Sequence, residues 1–158
     1  MQIGKLIHFH DERFFDGAVQ LRWVQTNTEK AKQAALSFVF HGPRYHGGSV
    51  AENDGVDSGY RLKDSASFVR DLLSSLQAGW RGEEENPYWM VVAGYGSGKS
   101  HLALTCAALL GKQHDVTESI LENISHADAT LGSEIRWQVE QLTKPVRAIA
   151  LYSTCGEN

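Results

Sequence analysis

The order of apolar and polar residues along the chain predicts short strands that alternate with helices. Gly17–Trp23, with the sequence GAVQLRW, places apolar side chains at every second position, which is typical of a half-buried strand. Tyr88–Ala93 (YWMVVA) and Val146–Ser153 (VRAIALYS) are short apolar runs of the kind found in strands buried on both faces. We therefore expect strands at these three positions.

Helical patterns lie between the apolar runs. Thr26 and Glu29 have the T-x-x-E spacing of a capping box, so we expect a helix from there to the Gly-Pro pair that follows. Asp64 is the expected N-cap of a second helix with a clear apolar stripe. The residues of that stripe are Phe68, Val69, Leu72, Leu73 and Leu76. Residues 101–110 are apolar on nearly every side, and two further helical patterns follow before Pro145.

Strands that alternate with helices favour an α/β fold with a parallel sheet. Residues 41–59 are rich in Gly, Asn, Asp and Ser without an apolar period, and predict a long loop. We expect residues 1–60 to form a strand–helix–loop extension and residues 61–158 to form the core, with both packed as one compact unit.

Composition narrows the class of protein. The chain has 158 residues, of which 42% are hydrophobic and 22% charged, as expected of a single globular domain. The net charge of −4 and the lack of a basic stripe predict that any DNA contact is made through other regions. No segment has the apolar length of a signal peptide or a membrane span, so we expect a cytoplasmic protein without a membrane contact. Cys106 and Cys155 lack metal-type spacing and are expected to be reduced.

The most specific feature is AGYGSGKS at residues 93–100, which has the form of a P-loop with alanine in the first position. The three glycines at positions 94, 96 and 98 permit backbone angles that turn successive amides toward an anion. We expect Lys99 to reach the β- and γ-phosphates and the Ser100 hydroxyl to ligate Mg²⁺. ATP is favoured over GTP, because no N/T-K-x-D motif is found. A glycine-rich turn that binds nothing is the alternative.

The stretch GYGSGKSHLALTCAALL, residues 94–110, resembles AAA+-like and STAND-like ATPases, including helicase loaders and replication initiators. ALSFVFHGPRYHG, residues 35–47, together with a helix and the P-loop, is similar to the N-terminal part of large ATPases of prokaryotic antiphage defence operons, of the bacteriophage-exclusion or DNA-phosphorothioation-dependent kind. The specific match covers residues 88–111.

The resemblance implies a P-loop NTPase-like parallel sheet flanked by helices, incomplete in this chain and preceded by an N-terminal α/β extension. It implies ATP and Mg²⁺ as cofactors, and other subunits or the remainder of a longer chain as partners. Lys99 would be the catalytic residue, and Ser100 the metal ligand. The implied nucleotide-binding residues are Gly94, Tyr95, Gly96, Ser97, Gly98, Lys99, Ser100 and His101, the last through its backbone amide.

Carboxylates that would complete a hydrolytic site are missing from the last apolar run. Tyr152, Ser153 and Thr154 stand where an acidic pair would be needed, and Glu157 is better explained as a solvated tail residue. We therefore expect the chain to be part of a longer ATPase whose Walker B residues lie elsewhere. Two alternatives stay open: an interaction module with a vestigial P-loop, and a small P-loop kinase, which the scarcity of arginines after the P-loop disfavours.

Histidines and tryptophans give weaker hypotheses. HFHDE at residues 8–12 could bring two imidazoles to one metal ion, although a polar edge strand explains the pattern better. His41 and His46 are expected to be surface loop residues, with a partner or nucleotide contact as the alternative. Trp80 and Trp89 flank the acidic turn before the P-loop, where packing is favoured over stacking on adenine.

Overall fold

The computed structural model describes residues 18–46, 63–83, 89–92, 94 and 96–151. Within these residues all of the regular secondary structure is helical. The helices are α1 (Trp23–Thr26), α2 (Thr28–Ser37), a 3₁₀ helix (Pro43–His46), α3 (Ser65–Trp80), α4 (Lys99–Leu110), α5 (His114–Ala127) and α6 (Ala129–Gln141).

The prediction of an α/β fold with a P-loop NTPase-like parallel sheet is wrong. The described part of the chain contains no strand and no sheet. Two of the predicted strands, Tyr88–Ala93 and Val146–Ser153, are described in part. Their described residues, 89–92 and 146–151, have no regular secondary structure. A strand requires a neighbour for its backbone N–H and C=O groups, and neither segment pairs with one within the described residues.

The prediction of a strand at Gly17–Trp23 is also wrong for residues 18–23, which are the described ones. Residues 18–20 are irregular, a turn follows, and Trp23 begins α1. Val19 and Leu21 are half-buried against the core, and the Trp23 side chain is buried in it. The alternating apolar residues therefore do contact the core, but through a turn and a short helix.

The helix predicted after Thr26 is confirmed, but its capping box is not. The N-cap of α2 is Asn27, whose side-chain oxygen accepts the Lys30 N–H at 3.0 Å. The Thr26 hydroxyl instead donates to the carbonyl of Arg22 at 2.9 Å, within the preceding turn. α2 ends at Ser37, before the Gly-Pro pair that was expected to end it.

The four later helices were all predicted from the sequence. Asp64 caps α3 as expected, with Oδ1 accepting the Ser67 N–H at 2.8 Å. Asp128 caps α6 in the same way, accepting the Leu131 N–H at 3.0 Å. Of the long loop expected at residues 41–59, the described part contains the 3₁₀ helix.

The helices pack around one apolar core. α2 and α4 run antiparallel, because the first turn of α4 contacts the last turn of α2, while Thr28 and Gly111 at the other ends line one small cavity. α5 and α6 form an antiparallel hairpin in which Gly132 faces Ser125. The largest side chains that are fully buried in the core are Leu73, Leu104, Leu109, Ile120, Leu121, Ile124, Ile135 and Leu142. Among the described helices, none has the length and apolar character needed to cross a lipid bilayer.

Candidate phosphate-binding site

The glycine-rich loop turns sharply before it enters α4. Gly96 and Gly98 have φ values of +75° and +83°, in the left-handed region that side chains with a Cβ rarely adopt. The Ser97 N–H points to the carbonyl of Gly94 at 3.4 Å and closes the turn. Gly98 is then the N-cap of α4, which begins at Lys99. Two of the three glycines predicted to shape a phosphate loop, Gly96 and Gly98, thus have a left-handed backbone conformation that favours glycine.

The loop is open to solvent. Gly94, Gly96 and Gly98 are all exposed, and an added Cβ at any of them would meet no described heavy atom within 4 Å. Crowding by the described part of the chain therefore does not explain the glycines. Their exposed backbone leaves room for a ligand to approach the amide groups closely.

The N-terminus of α4 is suited to an anion. The first intrahelical hydrogen bond joins the Leu102 N–H to the carbonyl of Gly98, so the preceding N–H groups of the first turn have no intrahelical acceptor. Gly98 has no side chain that could cap them, whereas α2, α3 and α6 are each capped by an Asn or Asp oxygen. The first turn of α4 also lacks an acidic residue. The positive end of the helix dipole is consequently not neutralised by its own first turn.

Lys99 adds a positive charge at the same place. Its Nζ donates to the carbonyl of Gly94 at 2.7 Å and lies 3.4 Å from the Ser97 hydroxyl. The side chain thus folds back over the loop that precedes it, instead of extending away from α4. A lysine ammonium has three donors, so contact with the loop is compatible with additional contact to an anion.

The residues present fit a Mg²⁺–nucleotide. Ser100 lies in the first turn of α4 and is exposed, so its hydroxyl is available as one oxygen ligand for Mg²⁺, which usually keeps several waters. Within the described ranges, no group of three His, Cys, Asp or Glu residues could hold a metal on its own. Tyr95, also predicted to bind nucleotide, lies outside the described residues.

The side chain of His101 has a structural contact that the sequence analysis missed. Its Nε2 lies 2.5 Å from the carbonyl oxygen of Ala34, and its ring packs edge-on against Phe38 with centroids 5.0 Å apart. The Ser37 hydroxyl donates to the same carbonyl at 2.8 Å. The imidazole therefore helps to complete the C-terminus of α2, and only the backbone amide of His101 was predicted to serve the phosphates.

A second group of side chains precedes the loop. The Trp89 ring packs against Phe68 of α3, with centroids 5.6 Å apart and an angle of 81° between the planes. Lys63 Nζ lies 5.1 Å from the centre of the Trp89 ring and also pairs with Asp71. Arg70 Nε donates to the same carboxylate at 2.8 Å. We call Lys63, Phe68, Asp71 and Trp89 the tryptophan cluster.

Opposing effects act on the carboxylate of the tryptophan cluster. Partial burial of Asp71 acts to raise its pKa, but the hydrogen bonds from Lys63 and Arg70 outweigh that effect and hold the pKa below its ordinary value of 3.8. Asp71 is therefore charged at neutral pH and fixes the lysine that contacts Trp89.

The other candidates from the sequence are not assembled into a site within the described residues. The HFHDE cluster, the side chain of His46 and residues 152–158, with Cys155 and Glu157, lie outside those residues. His41 is half-buried, and its backbone N–H donates to the Ser65 hydroxyl at 2.8 Å. Burial raises the pKa of the Cys106 thiol to about 12, which makes it unreactive.

Comparisons with families of known proteins, with curated proteins and with solved structures find no match for this chain. The AAA+-like, STAND-like and antiphage-defence resemblances therefore stay predictions based on the quoted residues.

Proposed function

We propose that this chain binds the phosphates of Mg²⁺–ATP at Gly94–His101. The observation that supports the proposal most is the junction between the loop and α4. Two glycines with positive φ lead directly into a helix N-terminus without a side-chain cap, and the first residue of that helix is a lysine folded back over the loop. Backbone amides, a helix dipole and an ammonium group are thereby brought together at one exposed place.

Each group has a distinct part in the proposed binding. The first-turn amides of α4 donate to phosphate oxygens, and the Lys99 ammonium contacts the β- and γ-phosphates while Gly94 keeps it close to the loop. The Ser100 hydroxyl contacts the magnesium ion. Bound Mg²⁺ supplies positive charge that offsets the charge of the phosphates.

We further propose, in accordance with the resemblance, that ATP hydrolysis in a DNA-related or antiphage defence role uses acidic residues from elsewhere in a longer chain or from another subunit. Such a protein would act in the cytoplasm. The described residues contribute the phosphate-binding part of this function.

The proposal is tested by calorimetric titration of Mg²⁺–ATP into three proteins: the wild type, Lys99→Ala and Lys144→Ala. Lys144 is an exposed lysine two residues before Val146, whose N–H bonds to Leu110 at the opposite end of α4. We expect saturable binding by the wild type and Lys144→Ala. Lys99→Ala should bind roughly 10- to 100-fold more weakly, because it loses a charge-assisted hydrogen bond.

The titration also has outcomes that contradict the proposal. Binding by none of the three proteins would do so, and so would equal affinity of Lys99→Ala and the wild type. Circular dichroism melting of each variant shows whether the substitution has left the helices intact.

A second candidate, a protein interaction module, is favoured by exposed apolar side chains. Met90 is 88% exposed, Ile149 67% and Leu151 89%. Such residues are typical of surfaces that another protein covers. Saturating Mg²⁺–ATP separates the candidates, because a ligand at about 100 times its Kd adds about 2.7 kcal/mol to the free energy of unfolding. A vestigial P-loop would leave the unfolding transition unchanged.

A further inference from the structure

Trp89 lies at a suitable distance along the chain from the phosphate loop to meet the other end of a nucleotide. It is the first described residue of the irregular segment 89–92 and precedes Gly94 by five residues. Five residues span at most about 17 Å, so Trp89 lies within that distance of Gly94. A ligand held by its phosphates at Gly94–His101 could therefore reach Trp89 with its base.

The indole ring is held in place but is not enclosed. Trp89 is 39% exposed, whereas Trp23, which packs in the core, is 7% exposed. Phe68 contacts the Trp89 ring edge-on, and Lys63 lies near its centre. Because Asp71 fixes Lys63, the ring is supported by residues of α3 and by Lys63, which lies just before its N-cap. A ligand that stacks on a ring already held in this way needs to order few side chains on binding.

We infer, on the basis of the proposed function, that Trp89 forms the base-binding subsite of this nucleotide site and stacks on the purine. A planar π-system is the chemistry that an exposed indole recognises, and stacking tolerates different bases because each has a π-face. The subsite thus adds affinity for the nucleoside end of ATP, while the loop binds its phosphates. Lys63, Phe68 and Asp71 act as positioning residues.

Two ligands distinguish binding at the phosphate loop from binding at the base subsite. Mg²⁺–tripolyphosphate carries the phosphates without a base, and Mg²⁺–ATP carries both. In calorimetric titrations of the wild type we expect ATP to bind roughly tenfold or more tightly than tripolyphosphate, as base stacking on an aromatic side chain would produce. Trp89→Ala should remove most of that difference and leave the affinity for tripolyphosphate unchanged.

Two further variants control the experiment. Trp89→Phe keeps an aromatic ring and should retain part of the preference for ATP. Trp137→Ala removes a tryptophan from α6 that is 60% exposed, and it should bind both ligands as the wild type does.

The possible failures differ from one another. Equal affinity of the wild type for ATP and tripolyphosphate overturns the base subsite but leaves the phosphate site in place. If neither ligand binds, the proposed function fails and the subsite fails with it. If Trp89→Ala weakens both ligands equally, Trp89 only supports the loop, and the inference is wrong.

Discussion

His101 and Ala34 connect the first turn of α4 to the last turn of α2. The imidazole Nε2 lies 2.5 Å from the Ala34 carbonyl oxygen, although the two residues are 67 positions apart in the sequence. Ala34 is one of the last four residues of α2, whose carbonyls lack the usual intrahelical partners. Asn123 of α5 donates to the nearby carbonyl of Leu36 at 3.3 Å. Side chains from two other helices thus complete the end of α2.

Replacement of His101 should destabilise the fold. His101→Ala removes a donor from the partly buried Ala34 carbonyl and also removes the ring contact with Phe38. We expect the free energy of unfolding to fall by about 1–3 kcal/mol in urea denaturation. His114→Ala is the matched control, because His114 is exposed at the start of α5. Equal stability of the two variants would show that the His101 contact contributes nothing.

Gly98 should be sensitive to substitution even without nucleotide. Its φ of +83° makes an alanine there strained by about 1–2 kcal/mol, which thermal or urea unfolding would detect. Gly94→Ala is the control in the same loop, since Gly94 is not among the glycines with positive φ and has open space where a Cβ would be placed. A Gly94→Ala variant as unstable as Gly98→Ala would contradict this account.

Two helical glycines should respond in opposite directions to alanine. A Cβ at Gly132 would lie 2.7 Å from the Ser125 Cα, and backbone cannot move away as a flexible side chain can. Gly132→Ala should therefore lower the free energy of unfolding by about 1–3 kcal/mol. Gly79 in α3 has no described neighbour within 4 Å of such a Cβ, so Gly79→Ala should be neutral or stabilising by up to about 1 kcal/mol. Chemical denaturation of the pair measures both effects, and a stable Gly132→Ala would contradict the close approach.

The Asp71 carboxylate should contribute to stability in a pH-dependent way. Because its pKa in the folded protein is lower than the ordinary 3.8, its contribution is present above about pH 4 and is lost as the pH falls through the folded value. Asp71→Asn should be less stable than the wild type at pH 6, and the difference should narrow toward pH 3. Urea midpoints at both pH values measure this. Glu122→Gln, at an exposed position of α5, controls for the removal of one carboxylate, and a constant difference for Asp71→Asn would count against the ion pair.

The helices α2 to α6 could be predicted because their signals are local. Asp64 and the apolar stripe after it lie within one segment, and so do the glycine loop and the apolar helix that it begins. At positions 96 and 98 the backbone angles also agree with the prediction, since positive φ values favour glycine.

The predicted strands were wrong, because strand formation depends on a partner that periodicity does not reveal. The runs at Tyr88–Ala93 and Val146–Ser153 have β-type composition, but Met90 and Leu151 within them are exposed. The role of His101 was missed for a related reason. Its acceptor, Ala34, is distant in sequence, and no local pattern connects the two residues.

The close approach of Ser125 and Gly132 has a consequence for the order in which the chain assembles. Ser125 lies near the end of α5 and Gly132 near the start of α6, and Asp128 alone joins the two helices. Bringing them together therefore closes only a short loop, which costs little entropy. The contact between α2 and α4 instead closes a loop of 67 residues. During synthesis α2 therefore emerges well before the helix that covers it, whereas α5 and α6 can pair as soon as both have been made.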